Sequence, residues 1–160
     1  MTKENEYPNE TADRELVITR IINAPRELVF EAWTDPKHIV EWWGPDGFTT
    51  TIHEMDVRPG GVWRFIMHGP DGVDYPNRIV YTEIVKPERL VYEHDSDKEN
   101  DPGQFHVTIT FGEQGGKTKL IMHSIFKSAE ALEEVKKFGA VEGGNQTLNR
   151  FEEYLAKRGL

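Results

Sequence analysis

The sequence predicts an α+β fold in which an antiparallel sheet of about six to seven strands lies against a long C-terminal helix. Three observations support this class. Most strand-like segments follow one another without intervening helices, two short helical segments separate the first strand from the rest, and a long amphipathic segment closes the chain. Strands that are grouped, with helices to one side, are typical of α+β proteins.

The first strand and the two short helices are marked by β-branched residues and by prolines. Residues Glu15–Ile22 are rich in isoleucine, valine and threonine, which favour a strand. Pro25 precedes Arg26–Thr34, where apolar residues recur at helical spacing. Asp35 can cap a second helix that Pro36 opens, so the sequence predicts two helices in succession.

The middle of the chain, from Thr49 to Ile125, changes to strands separated by turns rich in glycine and proline. Within it, Trp63, Phe65 and Met67 alternate with their neighbours and share one face. The predicted strands are Thr49–Asp56, Gly61–His68, Asn77–Val85, Arg89–Asp95, Phe105–Gly112 and Lys117–Phe126.

The last two of these strands allow the register of the sheet to be tested within the sequence. A two-residue turn at Gly115-Gly116 pairs Gln114 with Lys117. Counting outward gives one almost wholly apolar face, formed by the pairs Phe111–Leu120, Ile109–Met122, Val107–Ser124 and Phe105–Phe126. The register that the turn favours is therefore the register that burial favours.

The C-terminal region predicts two helical segments. Ser128 can cap the first, and the second continues to about Lys157 with apolar residues at helical spacing. Gly139, Gly143 and Gly144 interrupt or restart this pattern. Because only the final helix is long enough to cover the apolar face of the sheet, we expect it to pack across that face.

Length, composition and charge limit the functional classes. The 160 residues fit a single domain, which we predict over residues 14–160. Residues 1–13, which precede it, are predicted to form a polar and mobile tail. The absence of cysteine excludes disulfides and thiolate chemistry. A net charge of −9 argues against nucleic acid and anionic membrane surfaces as partners. No apolar run could span a membrane and no secretion signal is recognisable, so we expect a cytoplasmic protein without membrane insertion. We expect a monomer or a homodimer, between which the sequence does not decide.

The sequence contains no motif that indicates catalysis. Its six histidines are scattered, without a HExxH pattern, and its glycine pairs lack the context of a phosphate-binding loop. A GxSxG nucleophile motif is also absent. His94 follows Tyr92 at a spacing of two and is placed on the inward face, where a structural role is favoured over proton transfer. We therefore predict no catalytic residue, no metal and no cofactor.

Three segments resemble one known family. They are Ala24–Pro45 (APRELVFEAWTDPKHIVEWWGP), Asp56–Gly61 (DVRPGG) and Asn145–Leu155 (NQTLNRFEEYL), with the turn Asp71-Gly72 between them. They resemble the family named for activators of heat-shock protein 90 ATPase, within the START/birch-pollen-allergen superfamily. The resemblance covers about residues 15–157. It implies a helix-grip fold, in which a long C-terminal helix packs across a curved sheet and leaves a deep cavity.

The resemblance also implies a function. Superfamily members bind lipids, polyketides or other hydrophobic molecules, so the expectation is a hydrophobic small molecule or lipid held between sheet and helix. One alternative is a cyclase- or hydrolase-type enzyme acting on a hydrophobic substrate, for which the available polar groups are His94, Tyr81, Tyr92 and Glu54. The other alternative is a chaperone-interacting protein, like the eukaryotic namesakes.

The candidates for lining the implied cavity are mostly inward-facing aromatic and aliphatic residues, for which ordinary core packing is the competing interpretation. Gly144 is added because family members commonly carry Gly-Trp where this chain has Gly143-Gly144. We hypothesise that the missing indole widens the cavity or its mouth. The candidates are Trp42, Trp63, Phe65, Met67, Tyr81, Tyr92, His94, Phe105, Ile109, Met122, Gly144, Leu148 and Phe151.

Overall fold

The computed structural model describes residues 11–158. The predicted mobile tail falls mainly on residues 1–10, which lie outside the described residues. Directly before the first strand, Ala12–Arg14 forms one turn of 3-10 helix.

The described residues form seven strands and four α-helices, which confirms the predicted α+β class. The strands are β1 (Glu15–Ile22), β2 (Thr49–Met55), β3 (Val62–His68), β4 (Asp74–Val85), β5 (Arg89–Asp95), β6 (Phe105–Gln114) and β7 (Lys117–Phe126). The helices are α1 (Arg26–Thr34), α2 (Pro36–Ile39), α3 (Ala129–Lys137) and α4 (Ala140–Arg158). Among them, no helix is long and apolar enough to cross a membrane.

The strands form one antiparallel sheet in the order β1-β7-β6-β5-β4-β3-β2. The predicted hairpin register is confirmed, because Gln114 pairs with Lys117 and Phe105 pairs with Phe126. Since both glycines of the turn have positive φ angles, of 58° and 83°, the turn needs residues that tolerate a left-handed backbone.

Two helices begin at their predicted capping residues, but only one of the predicted glycine breaks occurs. The side chains of Asp35 and Ser128 cap α2 and α3 by accepting hydrogen bonds from backbone N–H groups. Gly139, with φ of 81°, lies at the break between α3 and α4, as is usual for a glycine after a helix end. Gly143 and Gly144, in contrast, lie inside α4 and do not interrupt it.

An aromatic cluster joins the helices to the sheet. Trp42 is fully buried, with ring centroids 4.7 Å from Trp33 and 4.4 Å from Phe151 of α4. Its indole N–H donates to the carbonyl oxygen of Ala32 at 3.2 Å. Trp33 also meets Phe111 of β6, with ring centroids 5.9 Å apart. These contacts fill the space over one half of the sheet.

Polar contacts fix α4 from both sides. On one side, Arg20 of β1 donates to Asn145, Asn149 and Glu152. On the other side, Arg150 donates to the carbonyl oxygens of residues 44 and 45 at 2.8 and 2.9 Å. These contacts hold α4 against β1 and against the loop after α2.

Candidate ligand-binding pocket

A pocket of about 330 Å³ lies between the sheet and the first half of α4. Its volume is at the lower end of the range of about 300–1,000 Å³ that is usual for small-molecule sites. Its lining comes from β3, from three adjacent strands, from the loop after α2 and from the α3–α4 junction. The lining residues are Trp43, Gly44, Pro45, Met67, Tyr92, His94, Phe105, Val107, Met122, Ser124, Phe138, Gly139, Ala140, Gly143, Gly144 and Thr147.

The register of the sheet places the strand residues of the pocket in rows. Tyr92, Val107 and Ser124 are direct partners across β5, β6 and β7. His94 and Phe105 form the next row two residues along. Because side chains two residues apart point to the same face, both rows face α4.

The pocket is open at the α3–α4 junction. Phe138, the residue before the break between these helices, lines the pocket yet is 86% exposed. A wider cleft of about 500 Å³, lined in part by Phe48, Met67 and Tyr75, shares Phe138 with the pocket. The opening is therefore bordered by apolar and aromatic side chains.

His94 is held in the pocket wall by a chain of hydrogen bonds. Its Nε2 atom lies 2.9 Å from Oδ1 of Asn77, whose Nδ2 donates to the carbonyl oxygen of Tyr75 at 2.8 Å. The ring also packs on Phe105, with centroids 4.7 Å apart. His94 is partly buried and lines the pocket.

Burial determines the charge of His94. It lowers the pKa of the imidazole from its ordinary value of 6.5 to about 4, against a smaller raising effect from Asp95 and Asp101. The ring is therefore neutral at neutral pH. Burial also raises the pKa of the phenol of Tyr92, which keeps its proton.

The neutral state of His94 makes stability depend on pH. The unfolded chain binds a proton at His94 near pH 6.5, whereas the folded chain does so only near pH 4. The free energy of unfolding should therefore fall on the order of 2–3 kcal/mol as pH drops through this window. Denaturant titrations at pH 7 and pH 4.5 should show a smaller loss in a His94→Phe variant. The same loss in both proteins would contradict the prediction.

Two hydroxyl groups of the pocket have no hydrogen-bond partner in the part of the chain that the structure describes. Tyr92 is 97% buried, since 3% of its surface is exposed, and its hydroxyl makes no hydrogen bond to a described residue. The hydroxyl of Ser124, a buried residue in the same row, likewise has none. Both oxygens are at least partly solvent-accessible. The unpaired Nε1 of Trp63, in contrast, is fully buried.

Six of the thirteen predicted cavity residues line this pocket, and they are Met67, Tyr92, His94, Phe105, Met122 and Gly144. The structure places the other seven in the packed core outside it, namely Trp42, Trp63, Phe65, Tyr81, Ile109, Leu148 and Phe151. The separation arises because α1, α2 and the residues after them fill the space over half of the sheet.

The lining residues that were not among the predicted candidates belong to two groups. The sequence could have indicated the first group but not the second. Val107 and Ser124 share the apolar face of the predicted hairpin, so the register already placed them inward. Trp43, the loop after α2 and the α3–α4 junction carry no periodic signal, because the positions of loops depend on packing between distant segments.

The hypothesis about Gly144 needs a correction. A Cβ atom at residue 144 would lie 2.6 Å from Cδ1 of Ile18, so this β1 side chain takes the nearest space that an additional side chain would need. Gly144 still lines the pocket, and the absence of a side chain there allows α4 to approach Ile18 of β1 closely.

The polar groups considered for the enzyme alternative do not all meet in the pocket. Tyr92 and His94 line it, whereas Tyr81 is buried in the core. Glu54 is exposed on β2, where it forms an ion pair with Arg64 at 2.6 Å. A set of four converging catalytic groups is therefore not formed.

One group of metal-ligand-type side chains occurs outside the pocket, in the part of the chain that the structure describes. Glu31, Asp35 and His38 have ligand-type atoms within 4.8 Å of one another. Two of them have other roles, because Asp35 caps α2 and His38 lies 2.6 Å from the hydroxyl of Tyr154 through Nδ1. The absence of a metal stays a prediction.

Comparison with solved structures shows the same fold in several bacterial proteins. Protein Ms6760 from Mycobacterium smegmatis has 28% sequence identity and a TM-score of 0.82, over 91% of this chain and 93% of that one. A protein from Arthrobacter aurescens has 22% identity and a TM-score of 0.85, over 94% and 90% of the two chains. The AHSA1 protein from Silicibacter pomeroyi has 20% identity and a TM-score of 0.74, over 90% and 99%.

No curated protein sequence matches the chain significantly. The family model for "Activator of Hsp90 ATPase homolog 1-like protein" matches residues 23–156, which is most of the chain. This range includes all three segments that carry the sequence resemblance, and it includes the whole pocket lining. The protein is therefore a member of the activator of Hsp90 ATPase homolog 1-like family.

Proposed function

We propose that the protein binds a hydrophobic small molecule or lipid in the pocket between the sheet and the first half of α4. The observation that carries the proposal is the lining, in which apolar and aromatic side chains surround a few polar groups that lack partners. Sites for small organic ligands have this composition. The family to which the chain belongs typically binds hydrophobic ligands, which supports the proposal.

The position of the pocket also supports binding rather than ordinary core packing. A well-packed core leaves few voids larger than a water molecule. Here the aromatic cluster fills one half of the sheet face, while the other half leaves a volume of about 330 Å³. The exposed ring of Phe138 at its opening gives an apolar ligand a path from solvent.

The proposal can be tested with N-phenyl-1-naphthylamine, an uncharged aromatic probe that fluoresces in apolar surroundings. We expect saturable binding at one site. A free concentration ten times the Kd should raise the free energy of unfolding by about 1.4 kcal/mol. For a chain of this size, that corresponds to a Tm increase of about 3–6 °C.

A pair of variants on α4 provides the control. Ala140→Leu adds a larger side chain at the pocket wall and should weaken probe binding at least about tenfold. Ala156→Leu makes the same change at an exposed position of the same helix and should bind like the parent protein. The proposal would be contradicted if Ala140→Leu and the parent protein bound the probe equally, or if the parent protein showed no saturable binding.

A further inference from the structure

The hydrogen-bond chain behind His94 fixes which ring nitrogen carries the proton. The carbonyl oxygen of Tyr75 can only accept, so the amide atom of Asn77 that faces it must be the NH₂ group. The other amide atom, Oδ1, can then only accept, which requires a proton on Nε2 of His94. In a neutral imidazole, Nδ1 is consequently left with a free lone pair.

This lone pair has no partner among the residues that the structure describes. Nδ1 makes no hydrogen bond to any residue from 11 to 158, and it is not among their fully enclosed polar atoms without a partner. Because Nδ1 is not fully enclosed and His94 lines the pocket, this nitrogen is accessible to a bound molecule. Toward a ligand, Nδ1 of His94 can therefore only accept, whereas the hydroxyls of Tyr92 and Ser124 can either donate or accept.

The pocket also lacks a group that would neutralise an anion. None of its described lining residues is lysine or arginine. Arg150 is not a lining residue, and its guanidinium already donates to the carbonyl oxygens of residues 44 and 45. A carboxylate or phosphate drawn into the pocket would lose its hydration without gaining a cation, and the net charge of −9 disfavours its approach.

We propose that the ligand is an uncharged, largely apolar molecule with one hydrogen-bond donor, such as an alcohol or phenol hydroxyl, which donates to Nδ1 of His94. This inference rests on the proposed function of the pocket and defines its ligand class. It distinguishes alcohols and phenols from fatty acids and phospholipids, which carry a charge, and from hydrocarbons and ethers, which have no donor.

The test compares three molecules of similar size: 1-decanol, nonyl methyl ether and decanoate, each displacing N-phenyl-1-naphthylamine at pH 8. The alcohol and the ether have the same number of heavy atoms but differ in the donor. We expect decanol to bind about three to ten times more tightly than the ether, and decanoate to bind most weakly. The nitrogen-15 signal of Nδ1 in His94 should move on binding decanol but not on binding the ether.

Two variants assign the preference to His94. His94→Phe keeps a ring against Phe105 but removes the acceptor, so decanol and the ether should then bind equally, with the affinity for the ether retained. His106→Phe makes the same change on the opposite face of the sheet and should keep the preference.

The outcomes separate this inference from the proposed function. Equal binding of alcohol and ether to the parent protein, tight binding of decanoate, or a preference that survives in His94→Phe would each overturn the inference while leaving the pocket as a hydrophobic site. Failure of all three molecules and of the probe to bind would overturn both.

Discussion

Replacing Trp42 with alanine should lower the free energy of unfolding by about 3–5 kcal/mol. The indole is fully buried between Trp33, Trp43 and Phe151, and it joins the turn after α2 to α4. Its removal leaves a cavity and deletes the hydrogen bond to the carbonyl oxygen of Ala32. Because small domains have a total stability of about 5–15 kcal/mol, the loss should be evident in urea titration and in the Tm.

Phe138→Ala is the matched control for this prediction. It also deletes a large aromatic ring, but one that is 86% exposed, so the free energy of unfolding should change by about 0.5 kcal/mol or less. A loss of similar size in both variants would show that the aromatic cluster around Trp42 is not the main core of the domain.

Replacing Gly61 with alanine should destabilise the fold by at least about 3 kcal/mol. A Cβ atom at this position would overlap the carbonyl oxygen of Asp56 and lie 2.9 Å from the carbonyl oxygen of Arg58. Both are backbone atoms in a turn held by hydrogen bonds, including one from the backbone N–H of Tyr81 to the oxygen of Gly61 at 3.0 Å. Relief of the overlap would therefore distort the connection between β2 and β3.

The neighbouring glycine gives a control with a different physical cause. Gly60 has φ of 82° and no atom within 4 Å of a Cβ at its position. Gly60→Ala should therefore cost only about 1–2 kcal/mol, the penalty of placing alanine in the left-handed region. Equal losses of stability in the two variants, measured by urea titration, would contradict the steric explanation for Gly61.

The sequence predicted the sheet well because the signals for strand pairing are local. The turn at Gly115-Gly116 and the alternation along β6 and β7 each specify the same register, and the structure confirms it. The capping residues Asp35 and Ser128 act within a few residues of their own position, so they too could be recognised.

The pocket was harder to predict because alternation indicates a face but does not indicate free space. Trp63, Phe65 and Met67 share one face of β3, yet only Met67 reaches the pocket. Trp43 covers the other two, with ring centroids 5.1 Å from Trp63 and 6.2 Å from Phe65. That contact depends on the path of the chain after α2, which is decided by tertiary packing.

Tertiary packing after α2 also gives two adjacent tryptophans different positions. Trp42 lies in the core and Trp43 lines the pocket, although both lie within a few residues of the end of α2. Helical periodicity cannot assign them, because α2 ends at Ile39 and the residues beyond it form turns. The candidate site is consequently composed of strand residues that the sequence placed correctly on the inner face and loop residues that it could not place.

The glycine pair inside α4 gives this helix two levels of local stability. Each glycine weakens a helix interior by about 1 kcal/mol relative to alanine, and the pair lies over the pocket. The part of the helix beyond it is anchored by the buried side chains of Leu148, Phe151 and Leu155. Fraying of the first turns therefore requires much less free energy than global unfolding. Such transient openings would let a ligand exchange with solvent while the sheet and the aromatic core stay folded.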